Sequence, residues 1–220
     1  MEINSKSQSR LESFLDNPSK ALWTLAIPIM FGMGIHTLYN IVDMMFIGRL
    51  GGNAITGVAF NMPVFFLMLG LTMGLGSGVT ASIARFIGEN KKSHADNSAE
   101  HALALAAVIA TIFTTAGLMF GFHILTFLGA EGEILTLAWD YLYIIIIGLP
   151  FMIFSGFFRS ILAGEGDMKF PMMVAGLGTI LNIILDPIFI FDLEAYGGIG
   201  FGLGVKGAAM ATVISQGIVF

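Results

Sequence analysis

The sequence predicts an all-α polytopic membrane protein of six transmembrane helices, on three observations. Of 220 residues, 56% are hydrophobic and 11% charged, against about 25% charged in soluble domains. That is too few charges to cover a water-facing surface, whereas lipid accepts an apolar exterior. Uncharged runs of about 18 residues or more, the length that crosses a ~30 Å hydrocarbon layer, recur along the chain. The 28 glycines suit helices that pack closely in lipid.

The first span covers residues 21–47 and is opened by Asn17 and Pro18, an N-cap followed by proline at the first helical position. The second lies within residues 52–88, where no charge occurs from Leu50 to Ala84. The polar stretch 88–97 reads as a loop, and the third span follows at residues 99–128. The fourth covers residues 134–163, with Trp139, Tyr141 and Tyr143 near one end as an aromatic belt. The fifth covers residues 170–191. A sixth starts near Val205 and is still apolar at Phe220, so the sequence reads as ending inside a helix. The expected division is a polar tail at residues 1–19 and a six-helix lobe at residues 20–220.

The net charge of −5, from 15 acidic and 10 basic residues, offers no surface for nucleic acid. With no cysteine, disulfides, thiolate metal sites and thiol nucleophiles are excluded. The tail carries both charge signs and does not match a secretory signal. One set of connections holds Lys6, Arg10, Lys20, Arg85, Lys91, Lys92, Arg159 and Lys169, while the other holds only Arg49 and Lys206. The basic side normally stays cytoplasmic, which places the N-terminus there in a cell (inner or plasma) membrane, and the connection 192–204 outside.

Nearly all charges fall in the tail, the connections or the helix ends; Asp43 and Asp186 do not. A carboxylate in hydrocarbon costs a few kcal/mol even on lenient insertion scales, so such residues normally face a protein interior or a water-filled cavity and mark function. His36, Asn40 and Asp43, with Tyr39 between them, form a polar stripe on the first helix. Thr179, Asn182 and Asp186 form another on the fifth, and Asn182 and Asp186 lie one turn apart, where an amide oxygen and a carboxylate can share a cation or proton. Pro28 and Pro187 remove backbone donors and free the carbonyls of Thr24 and Ile183. Both acids lie near the outer ends of helices that run outward, and Thr212 on the returning sixth helix falls near the same depth. The alternative, that the acids merely mark helix ends among the headgroups, is opposed by the apolar stretches 44–47 and 188–191 beyond them. No lysine or arginine inside these two helices neutralises the acids, and adjacent carboxyls titrate as a unit. This composition suits reversible binding of H⁺ or Na⁺. His36 reads as a proton relay or a packing residue; Gly70, Gly74, Gly76 and Gly78 read as packing positions.

Several motifs carry a family resemblance. Leu25 to Pro28, then Tyr39-Asn40-Ile41-Val42-Asp43 and Gly48-Arg49-Leu50-Gly51, are followed in order by Gly74-Leu75-Gly76-Ser77-Gly78 with Ala84-Arg85 and Gly88. Phe158-Arg159 and the run from Gly164 to Met172 come next, and then Asn182-Ile183-Ile184-Leu185-Asp186-Pro187. Together these resemble the multidrug and toxic compound extrusion (MATE) family, in the branch named after the DNA-damage-inducible protein F. The resemblance implies the N-terminal lobe of a twelve-helix antiporter that exports amphipathic, often cationic compounds in exchange for H⁺ or Na⁺. The other six-helix lobe is missing here. It implies a coupling-cation site at Asp43, Asn182, Asp186 and Thr212, with Asp43, Asn182 and Asp186 as the Na⁺ ligands if sodium is the ion, and with Tyr39 and Pro28 linked to it. It implies no catalysis and no cofactor; the partners are the bilayer and the exported compound. Two other readings are a lipid-linked oligosaccharide flippase, which would line its cavity with basic residues for pyrophosphate, and a membrane phosphotransferase, which would cluster carboxylates for Mg²⁺. Neither pattern occurs in these spans.

Overall fold

In a computed structural model the chain is described over residues 18–192 and 200–220, with side chains given throughout from residue 40 onward. All regular structure among these residues is helical: α1 (Pro18–Gly48), α2 (Gly52–Ala59), α3 (Met62–Gly88), α4 (Lys92–Phe127), α5 (Gly132–Gly164), α6 (Lys169–Ile190) and α7 (Val205–Val219). The chain is an all-α polytopic membrane protein. Residues Gly52–Gly88, Lys92–Phe127, Gly132–Gly164 and Lys169–Ile190 are each long and apolar enough to cross a bilayer, and Val205–Val219 is a shorter apolar helix. The 31 residues of α1 span about 46 Å at 1.5 Å per residue. Most of the expected tail at residues 1–19 lies outside the described residues.

Two local expectations change. The stretch expected as a loop at residues 88–97 is helical from Lys92 onward. Its polar residues from Lys92 onward lie on the same helix as the apolar run that follows, so polarity there does not mark loss of helix. The second span is not continuous: α2 ends at Ala59 and α3 begins at Met62, with Pro63 in the first turn of α3, where its missing donor costs nothing.

Asn61 fills that break. It is fully buried, and its Nδ2 donates to the carbonyls of Gly57 at 3.1 Å and Ala138 at 3.2 Å, pinning the break to α5. Asn61→Ala is expected to destabilise the protein by about 1–2 kcal/mol, the loss of two buried hydrogen bonds in a membrane setting. A lowered midpoint of thermal unfolding in detergent checks it; an unchanged midpoint contradicts the pinning role.

Three helices stop by the same device. The amides of Lys91, Ala130 and Asp167 donate to the carbonyls of Phe86, Leu125 and Leu162, and those of Asn90, Gly129 and Gly166 donate to Ile87, Thr126 and Ala163. Asn90, Gly129 and Gly166 take positive φ, the left-handed turn that satisfies the last carbonyls of a helix. Asp167 Oδ1 then accepts from the amides of Lys169 at 3.0 Å and Phe170 at 3.3 Å, starting α6. At the α3–α4 turn Glu89 pairs with Lys91 at 2.8 Å and Arg85 at 2.9 Å. Its hydrogen bonds to Lys91 and then Arg85 hold the Glu89 carboxyl down at about 2. The stabilising contribution of this solvent-screened cluster is therefore present above pH 4.5 and fades as pH falls through about 2.

The helix α5 is the centre of the bundle and packs against α2, α3, α4 and α7. Three apolar clusters surround it. One joins Ile47, Val58, Ile145, Ile190 and Ala208, at the end where α1 and α6 finish and α7 begins. Another joins Ile83, Ala102, Ala106, Ala110, Ile153 and Phe157, where the small stripe of α4 lets two backbones approach. The third joins Leu125, Ala138, Leu142, Ile146 and Leu149. The helix α5 is also notched at eight-residue intervals: a Cβ on Gly148 would strike Val213 of α7, one on Gly156 would lie 2.8 Å from Thr72, and one on Gly164 would lie 2.8 Å from Ile83.

The chain returning from residue 200 closes the end of α6. Backbone amides of Phe201, Gly202, Leu203 and Gly204 donate to the carbonyls of Ile188, Phe191, Phe189 and Ile190 at 2.9–3.1 Å. These carbonyls would otherwise be orphaned at a helix C-terminus. Part of the expected outer connection, residues 193–199, lies outside the described residues.

Candidate cation site

The seam between α6 and α7 explains how polar groups come to be buried here. On α6 the buried positions are Pro171, Gly178, Asn182, Asp186 and Ile190, mostly one turn apart and hence on one face. On α7 Ala208, Ala211, Thr212 and Ser215 form the matching face, and their small side chains let the helices close together. Asp43 enters from α1, which packs along α6, one turn before the buried Ile47.

Four of the residues expected at the site converge. Asp43 is 7% exposed, Asn182 2%, Asp186 0% and Thr212 7%. Asn182 Nδ2 donates to Thr212 Oγ1 at 3.3 Å, joining α6 to α7. The carboxyls of Asp43 and Asp186 are near enough to influence each other, and Asn182 also neighbours Asp186. Among the described residues, no donor reaches Asp43 Oδ1, Asn182 Oδ1 or either carboxyl oxygen of Asp186. Among the described residues, Arg85 and Lys91 pair with Glu89, and Lys206 pairs with Asp140.

Buried oxygens without a donor are costly unless something positive occupies the space between them. Two carboxyls, an amide oxygen and a hydroxyl oxygen form a hard, oxygen-only set. Such a set suits Na⁺ or a proton shared between carboxyls and lacks the nitrogen and sulfur ligands that select zinc or copper. Nothing in this geometry supplies a nucleophile beside a general base.

The supporting residues divide. Asn40 is exposed, so the polar stripe of α1 does not run whole into the seam. Three residues turn a helix through about 300°, which carries Asn40 off the face that buries Asp43. Thr179 is half-buried one turn before the site. The side chains expected at Pro28, His36 and Tyr39 lie outside the described residues. Sequence reading missed Asn61, whose signal was the Asn-Met-Pro interruption inside an apolar run. It also took Lys206 only as a loop charge.

Residues 28–188 match the family described as MatE. The chain is 33% identical over 198 residues to the "Probable multidrug resistance protein NorM" of Thermotoga maritima, covering 90% of this chain and 42% of that protein. It is 28% identical over 196 residues to an "FAD transporter" of Shewanella oneidensis, covering 89% of this chain and 42% of that protein. Among solved structures, MATE in the bent conformation superposes with a TM-score of 0.83 at 38% identity, over 92% of this chain and 44% of that one. This chain thus spans less than half the length of the relatives it matches.

Proposed function

The chain belongs to the MatE family, and from that premise we propose that it forms the cation-coupling half of a secondary transporter that exports amphipathic compounds in exchange for H⁺ or Na⁺. The observation that carries the reading is the pair Asp43 and Asp186, buried side by side with donor-free oxygens at the meeting of three helices. A group that must alternately hold and release a cation needs charge it can lose, and an oxygen cage that no lysine or arginine already fills.

In this reading the cation binds between Asp43 and Asp186, with the oxygens of Asn182 and Thr212 completing its shell. Because Asp43 sits on α1 and the other three on α6 and α7, gain or loss of the cation alters how α1 is held against its neighbours. Pro28 lets α1 bend, in keeping with the bent conformation named for the MATE relative. The second six-helix half of a full-length protein supplies the facing wall of the substrate cavity. Following the basic connections, the N-terminus is cytoplasmic and the cation site lies toward the outer side.

Relatives named for multidrug resistance and for FAD transport support export of organic compounds as the common activity. The test is exchange in proteoliposomes containing the intact transporter and loaded with a cationic dye. Either a Na⁺ gradient at constant pH or a pH gradient without Na⁺ is expected to drive dye exchange, and external substrate to accelerate counterflow. Failure of both ions to drive exchange would refute coupling at this site.

A further inference from the structure

A second polar cluster lies outside the cation site and has no part in the proposed exchange. Where the first turns of α5 meet the start of α7, a cavity of about 310 Å³ is lined by Trp139, Asp140, Tyr143, Ile144 and Lys206. Lys206 Nζ stands 3.2 Å from Asp140 Oδ1, with side chains 52% and 27% exposed, so both charges remain open to the surroundings. The rings of Trp139 and Tyr143 lie 5.7 Å apart beside them. From this wall an exposed apolar row, Tyr143, Ile147 and Phe151, continues along α5 at four-residue steps, one stripe of a helix.

We propose that this cavity binds the headgroup of a zwitterionic phospholipid. Phosphate oxygens take Lys206 Nζ as their donor, the ammonium meets the Asp140 carboxylate, and the Trp139 and Tyr143 rings flank the ammonium as aromatic faces do for organic cations. The acyl chains lie along Ile147 and Phe151. The paired charges set the specificity: a purely cationic amphiphile meets Lys206, a purely anionic lipid meets Asp140, and only a ligand carrying both signs satisfies both. The apolar row distinguishes a lipid from its free headgroup, because the headgroup alone leaves that row uncovered. Trp and Tyr at the end of a spanning helix are where headgroups lie.

Native mass spectrometry of the intact, delipidated protein tests this with three probes added separately: phosphatidylethanolamine, phosphatidylglycerol and glycerophosphoethanolamine. One phosphatidylethanolamine is expected to bind per protein, about tenfold more tightly than phosphatidylglycerol, a difference of about 1.4 kcal/mol, with glycerophosphoethanolamine weaker still. Lys206→Gln and Asp140→Asn are each expected to abolish the preference. The double exchange Asp140→Lys with Lys206→Asp keeps an ion pair between α5 and α7 but places a cation against the aromatic wall, so it is expected to keep the thermal midpoint without restoring lipid. Equal binding of the two lipids by the unaltered protein would overturn the proposal. So would glycerophosphoethanolamine binding as tightly as the lipid, or full restoration by the exchanged pair, which would make the cluster a helix-to-helix tether only.

Discussion

Asp43→Asn and Asp186→Asn are each expected to abolish cation-driven dye export in proteoliposomes while leaving a folded protein of unchanged or higher thermal midpoint. Asparagine keeps the size of aspartate and one acceptor oxygen, so packing at the α1–α6–α7 junction is preserved. What it removes is the charge that holds a cation and the proton that can be exchanged. Breaking a buried charge contact typically costs ~3–5 kcal/mol, and 1.4 kcal/mol is a factor of ten, so apparent cation affinity is expected to fall about 100-fold or more. Stability moves the other way because the two adjoining buried acids repel when both are charged. The joint readout separates coupling from folding: export lost with midpoint retained supports the site, whereas unchanged export in both variants removes it.

Gly207→Val is expected to produce the largest loss of stability. Gly207 lies in the first turn of α7, where an added Cβ would run into the backbone carbonyl of Phe189 and sit 2.8 Å from the amide nitrogen of Ile190. The obstacle is backbone and cannot rotate aside as a side chain can. That carbonyl also accepts from the amide of Leu203 at 2.9 Å, so pushing it away disrupts the closure of α6 as well. A cost of about 3 kcal/mol or more, the upper end for overpacking, is expected as a sharply lowered thermal midpoint and reduced recovery of folded protein. Gly176→Ala is the matched control, since a Cβ there meets nothing within 4 Å in this chain, and alanine favours helix over glycine. Equal midpoints for Gly207→Val and the parent protein would contradict the close approach of α6 and α7.

The difference between what composition reveals and what only packing reveals is clear at particular residues. Asp43 and Asp186 stand out in sequence because charge in an apolar run is expensive, and their shared depth follows from counting residues along two helices that run the same way. Asn182 follows from Asp186 by one helical turn, and Thr212 from the return of the chain. Asn40 fails the same reasoning because periodicity gives the relative angle of residues on a helix but not which angle faces a neighbour. The helical start at Lys92 was hidden because polar residues lower hydropathy without breaking helix. Asp140 and Lys206 are 66 positions apart by their numbers, and no local pattern announces that α5 and α7 bring them together.

The notches of α5 have a mechanical consequence. Val213, Thr72 and Ile83 occupy them from two different sides, since Gly148 receives α7 while Gly156 and Gly164 receive α3. A shaft keyed on two sides cannot spin about its own axis without lifting every key at once. Rotation of α5 about its own axis is therefore opposed by α3 and α7 at once, at three levels along its length.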